Sequence, residues 1–154
     1  GVLYEAFNTS GGIGTLHETL KGVARKVNYK SIRYPGHRDY MRFLLEELRF
    51  KENPRELCKL LERAIPTTGQ DMCIIFVQVS GLKHGMLRQE TLIRKVYHRQ
   101  LNGEDFSAIQ LVTAAGCIAA LDVAERSKKS GFCRIEDLSP RDVLQHKALK
   151  TIGF

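Results

Sequence analysis

Between Phe7 and Leu16 the chain reads Asn8-Thr9-Ser10-Gly11-Gly12-Ile13-Gly14-Thr15. A polar, glycine-dense stretch between a strand and a helix start leaves backbone amides free to face an anion, and the positive end of a helix dipole adds to that attraction. Carboxylate or phosphate binding is the chemistry it offers. It is not a dinucleotide fingerprint: with Gly12 and Gly14 as the first two glycines, His17 stands where the third belongs, and no acid follows a second strand about 20 residues on. The plainer reading is a structural turn whose glycines supply positive φ angles, and the residues alone leave both readings open. A second group is Arg33, Tyr34 and His37 around Pro35-Gly36. A guanidinium, a phenol and an imidazole at one strand end can grip a carboxylate and relay a proton, although a histidine after a turn is more often a surface residue.

The remaining candidates carry less. His17, His84, His98 and His146 show no ligand spacing with one another or with the cysteines, so no metal site is expected. Cys58, Cys73, Cys117 and Cys133 never form CxxC and fit a reducing, cytoplasmic setting. Cys58 and Cys133 have basic neighbours but no adjacent histidine, and are expected to be partly buried, unreactive thiols. Gln70, Asp71 and Ser80 flank an apolar run and could line a pocket, as polar strand ends commonly do.

These residues need elements to position them. Val2 to Phe7 is a short strand candidate. Thr15 and Glu18 have capping-box spacing, which predicts a helix over Leu16 to Arg25. An extended segment from Val27 stops at Tyr34, because proline forces its predecessor out of the helical region. Tyr40, Phe43, Leu44 and Leu48 recur at helical spacing over Arg38 to Arg49. Asn53 as cap and Pro54 in the first turn start another helix, which Pro66 ends. From Asp71 the period becomes two: Cys73, Ile75, Val77 and Val79 on one face, Met72, Ile74 and Phe76 on the other. Apolar faces on both sides predict a central strand, with Glu90 to Arg99 as the outer partner of an antiparallel hairpin.

Ser107 is expected to cap a long helix with a small-sided face of Ile109, Val112, Thr113, Gly116, Ala120 and Val123. Close packing would justify Gly116, which costs about 1 kcal/mol against alanine in a helix. Gly131 to Asp137 reads as extended, and Ser139-Pro140 opens a short helix to about His146.

With 154 residues, 43% of them hydrophobic, the chain is expected to form one domain with a real core. It opens on Gly1 and enters a strand at once, which reads as a piece of something longer. The net charge of +7 favours anionic partners. The Arg126, Lys128, Lys129 run lacks interleaved aromatics, so no nucleic-acid role is expected. Phe106 to Ala124 contains Ser107, Gln110, Thr113 and Asp122, and reads as a buried helix rather than a membrane span.

Taken together, Tyr4-Glu5-Ala6-Phe7-Asn8-Thr9-Ser10-Gly11-Gly12-Ile13-Gly14-Thr15-Leu16 and Ile32-Arg33-Tyr34-Pro35-Gly36-His37 resemble the second domain of saccharopine dehydrogenase-like proteins. Ile74-Ile75-Phe76-Val77, Gln89-Glu90-Thr91, and Ser107-Ala108-Ile109-Gln110 leading into Thr113-Ala114-Ala115-Gly116 extend the resemblance over most of Tyr4 to Val123. It implies a parent enzyme in which a Rossmann domain binds NAD or NADP and a second domain closes over the substrate. This chain is similar to the latter, so it would bind no cofactor alone and be inactive in isolation. The implied reaction is hydride exchange at the secondary-amine carbon linking an amino acid to a dicarboxylate, coupled to imine hydrolysis or formation. The resemblance carries substrate contact to Ser10, Gly11, Gly12, Arg33 and His37, with His37 the candidate proton carrier.

The expectation is therefore an α+β fold with a mainly antiparallel or mixed sheet, a central hairpin and covering helices. The small-faced helix would pack against the missing Rossmann domain or a twin subunit. The partners expected are a small anionic amino-acid-derived substrate and a second copy in a homodimer, with neither nucleic acid nor membrane. The alternative is a non-catalytic homodimeric interaction module in which the glycine loop is only a turn.

Overall fold

A computed structural model describes residues 1–9 and 12–154. The fold is α+β, with helices and antiparallel strands, the latter forming three two-stranded sheets among the described residues. The chain divides into two compact units, Gly1–Thr67 and Thr68–Phe154.

In the first unit, β1 (Glu5–Phe7) is followed by α1 (Leu16–Thr19), β2 (Ser31–Arg33), α2 (His37–Arg42) and α3 (Pro54–Ala64). The strands pair antiparallel, Glu5 opposite Arg33, Ala6 opposite Ile32 and Phe7 opposite Ser31. The helix expected to reach Arg25 is a single turn of four residues. Thr15 has helical dihedrals and gives the turn no side-chain cap bond, so the capping box does not form. Gly22, at φ +81°, then takes the chain into a left-handed conformation that no helix continues. The extended stretch from Val27 contracts to Ser31–Arg33. The segment beyond the Pro-Gly turn starts as α2, then widens into a π-helical turn over Phe43–Glu47. α3 begins where Asn53 and Pro54 place it, Pro54 sitting where its missing N–H costs nothing.

The second unit is built on β3 (Met72–Lys83) and β4 (Met86–Tyr97), twelve residues each and paired without a bulge. His84 and Gly85, both at positive φ, make the two-residue turn whose twist matches the strands. A second hairpin, β5 (Arg99–Leu101) and β6 (Glu104–Phe106), turns at Asn102-Gly103, again with both φ positive. α4 (Ala108–Arg126) follows, then a 3-10 turn at Ile135–Asp137, α5 (Pro140–Leu144) and α6 (Lys147–Thr151). No strand forms over Gly131 to Asp137: Gly131 sits at φ +84°, Ile135–Asp137 is the 3-10 turn, and α5 ends before His146.

The start of α4 satisfies its orphan amides with unusual completeness. Ser107 and Gln110 form a capping box, and the Asp71 carboxylate accepts from the amides of Ala108 and Ile109. Three of the first N–H groups thereby gain partners. Asp71 is a structural cap, and its carbonyl also accepts from His98 N at 3.1 Å.

α4 buries Ala108, Leu111, Ala115, Ala119 and Val123. Leu111, Ala115 and Ala119 cluster with Val96, Leu149 and Ile152 to form the core of this unit. The face expected from the sequence is displaced by about one residue: Ile109 is exposed, and a Cβ built on Gly116 meets nothing within 4 Å. Close packing therefore does not explain Gly116. By length and composition α4 is apolar enough to cross a membrane, yet one face of it is this packed core. Arg99 closes the far end, donating to the carbonyls of Thr151 at 2.7 Å and Ile152 at 3.2 Å, the last carbonyls of α6.

Candidate functional site

In an antiparallel pair, opposed residues and alternate residues along a strand share a face. The β1–β2 register therefore puts Glu5, Phe7, Ser31 and Arg33 on one side of the small sheet. His37 joins them there, its ring stacked on Phe7 with centroids 5.9 Å apart and planes 17° from parallel. Two elements far apart in sequence thus bring Arg33 and His37 to the same face.

The Pro-Gly turn sets this arrangement. His37 N donates to Tyr34 O at 3.3 Å, and Gly36 sits at φ +91°, so Pro35 and Gly36 occupy the central positions of a type II turn. Glu5 reaches over from β1 and accepts from Gly36 N at 3.2 Å and Arg38 N at 2.8 Å. That carboxylate takes up the N-terminal amides of α2, leaving them unavailable to a ligand. Tyr34 turns away to pack on Tyr4, ring centroids 5.6 Å apart. Of the expected trio, the geometry gathers Arg33 and His37 onto the Phe7 face and gives Tyr34 an aromatic packing role.

Ser10 and Gly11 lie outside the described residues. On either side of them, Thr9 Oγ1 hydrogen-bonds Ser31 Oγ at 2.8 Å, tying the start of the loop to β2, and Gly12 is exposed with open space where a side chain would be. His17 Nδ1 bonds Gly14 O at 2.9 Å across the loop's end. The four-residue α1 carries little of the dipole that the longer expected helix would supply. Arg33 is exposed, and its side-chain bond among the described residues is to Ile32 O at 2.9 Å. Most of its five donors stay available to an anion. The residues alone do not single out Glu5 and Phe7 as site residues, because their roles depend on cross-strand register.

A groove of about 780 Å³ lies elsewhere, in the second unit, among residues including Arg126, Lys129, Asp137, Asp142, His146 and Lys147. His146 is buried, its Nε2 is 2.9 Å from Asp122 Oδ2 and its Nδ1 accepts from Ala148 N. Both ring nitrogens are thereby used, Nε2 in joining α4 to the start of α6 and Nδ1 in capping α6. Lys129 donates to the Asp137 carbonyl, and Arg134 forks onto the Asp137 carboxylate at 2.8 and 3.1 Å. At this groove the Asp137 carboxylate and the His146 ring are thus already engaged by Arg134 and Asp122.

The side-chain bonds from Arg134, reinforced by its backbone N–H, hold Asp137 down at about 2. A carboxyl lowered on folding favours the folded state above its ordinary value near 3.8, and that contribution disappears as pH falls through about 2. Arg134→Gln is expected to bring Asp137 back toward 3.8, read from carboxyl carbon shifts against pH. An unmoved titration would show that the fork does not exist in solution.

The four cysteines are free. Cys58 and Cys117 are exposed, which corrects the expectation of a partly buried Cys58, whereas Cys73 and Cys133 are half-buried. Burial, then the Asp71 carboxylate, pushes the Cys73 thiol up, away from thiolate chemistry. Among the described residues no three His, Cys, Asp or Glu side chains gather as a metal site. No family model, curated protein or solved structure matches the chain.

Proposed function

We propose that this chain is the substrate-side domain of a saccharopine dehydrogenase-like, NAD(P)-dependent oxidoreductase of the cytoplasm. On this reading Arg33 and the amides between Phe7 and Thr15 hold a carboxylate of a small amino-acid-derived substrate, and His37 carries a proton at the same face. The motif runs quoted above support the family. The observation that carries the site is the β1–β2 register, which sets Arg33 on the side of the sheet where His37 stacks on Phe7. An exposed guanidinium with unused donors beside an imidazole suits carboxylate binding next to a proton transfer.

The nicotinamide belongs to a different domain of the parent. The residues here do not fit it: the loop lacks the third glycine, and the helix after it is one turn long. No step through the cofactor is assigned to this chain.

Titrating glutamate and saccharopine into the labelled chain tests the reading. The amides of Gly12 to Thr15 and of Arg33 are expected to shift, and Arg33→Ala to weaken binding by about tenfold, the loss expected for a charged hydrogen bond. Unmoved amides at millimolar ligand would overturn the proposal and favour the second reading, a homodimeric interaction module. That reading draws on the exposed apolar side chains of the long hairpin, among them Phe76, Val79, Leu82 and Leu87.

A further inference from the structure

The basic run Arg126, Lys128, Lys129 takes no part at the Phe7 face, and the fold gives it a place of its own. α4 ends at Arg126, and Lys128, at φ +50°, turns the chain in a left-handed conformation that few side-chain-bearing residues adopt. Lys129 then donates to the Asp137 carbonyl and pins the returning segment. From the other side, the bond between His146 and Asp122 fixes the start of α6 against α4 and brings Lys147 to the same groove. Three cations, from the end of α4, the loop after it and the start of α6, thus border one space of about 780 Å³. Val123 and Leu138, each 6% exposed, give that space apolar lining.

These positive charges are not matched locally. Among the described residues no carboxylate forms an ion pair with Lys129 or Lys147. Arg126 stands 3.9 Å from Asp122 Oδ2, the oxygen that already takes His146 Nε2 at 2.9 Å. Of the two acids in the lining, Asp137 is held by the Arg134 fork, which leaves Asp142 as the one without a cation partner. The C-terminal carbonyls of α4 add only about half a negative charge. We infer that this groove binds a phosphate monoester of a small organic molecule, with Arg126, Lys129 and Lys147 around the phosphoryl group and Val123 and Leu138 against the organic part. One guanidinium fork satisfies a carboxylate, whereas a phosphate dianion carries three acceptor oxygens that cations on separate elements can share. The volume is that of a small-molecule site rather than a seat for a bare ion. The Ser139 hydroxyl accepts from Asp142 N at 3.3 Å and keeps its own hydrogen for a phosphoryl oxygen. The site lies within the second unit, so it stands apart from the oxidoreductase reading and uses none of the Phe7-face residues.

Titrating phenyl phosphate, inorganic phosphate and benzoate into the labelled 154-residue chain tests it. Phenyl phosphate is expected to shift the amides of Ser127, Lys129, Ser139 and Lys147 and to bind about tenfold more tightly than inorganic phosphate or benzoate. Arg126→Gln and Lys147→Gln should each weaken it by about tenfold, the loss of one charged hydrogen bond. Lys150→Gln, on α6 but outside the groove lining, should leave affinity unchanged. Benzoate binding as tightly as phenyl phosphate overturns the inference. So do shifts spread evenly onto lysines of the first unit such as Lys51 and Lys59, or an affinity indifferent to Lys147. Should a variant fail to fold, the unaltered chain decides: contacts between the phenyl ring and the methyl groups of Val123 and Leu138 must be seen by nuclear Overhauser transfer, and their absence at saturating ligand overturns the inference.

Discussion

Val96→Asp is expected to abolish the cooperative fold of the second unit. Val96 is 1% exposed and packs with Leu111, Ala115, Ala119, Leu149 and Ile152. None of those side chains can accept or donate a hydrogen bond, so an ionised carboxylate there would be buried without compensation. That costs several kcal/mol even after local relaxation. A unit running from Thr68 to Phe154 has a total stability of the same order, at about 0.1 kcal/mol per residue. Val96→Ala is the milder companion, losing about 2 kcal/mol through the missing methyl groups and the gap they leave. Urea unfolding followed by circular dichroism reads both changes. A cooperative transition surviving in the aspartate variant would mean that the hairpin does not pack on α4 through this face.

The second large effect is expected at Gly36. Its φ of +91° is a region that side-chain-bearing residues rarely adopt, and an added Cβ would lie 2.8 Å from Tyr40 Cε2. The backbone term and the displaced ring together make Gly36→Ala cost about 2 kcal/mol. The turn is also what presents Gly36 N and Arg38 N to Glu5 and places His37 on Phe7. On the carboxylate-binding reading proposed above, loosening it should lower affinity for that ligand alongside stability. Thermal melts and the His37 ring resonances measure the two consequences. Adding Tyr40→Ala should recover only the steric share, and full recovery would show that the backbone conformation is not strained.

How far the sequence foretold these features depends on the range over which each is determined. Local chemistry was legible: Asn53-Pro54 marks the start of α3, Ser107 caps α4, and the period of two from Asp71 specifies the hairpin. The turn at Asn102-Gly103 is equally local, and that pair is a strong hairpin signal whose flanking strands are too short to show alternation. α6 was missed because five residues hold too little periodicity to register. On α4 the apolar residues surround the helix, so spacing could not choose the buried stripe, and Val96, Leu149 and Ile152 chose it instead. α1 failed for a related reason: a capping-box spacing needs packing behind it to extend a helix, and α1 has no buried residue. At the candidate site, Arg33 and His37 could be singled out by type, whereas Glu5 and Phe7 acquire meaning only through pairing across about 25 residues of chain.

The contacts of Asp71 have a mechanical implication. Its side chain grips the opening amides of α4 while its carbonyl holds His98 at the foot of the long ribbon. Ribbon and helix thus share one fulcrum, and a load on the far tip at His84 and Gly85 is delivered to the first turn of α4 through a lever about 40 Å long.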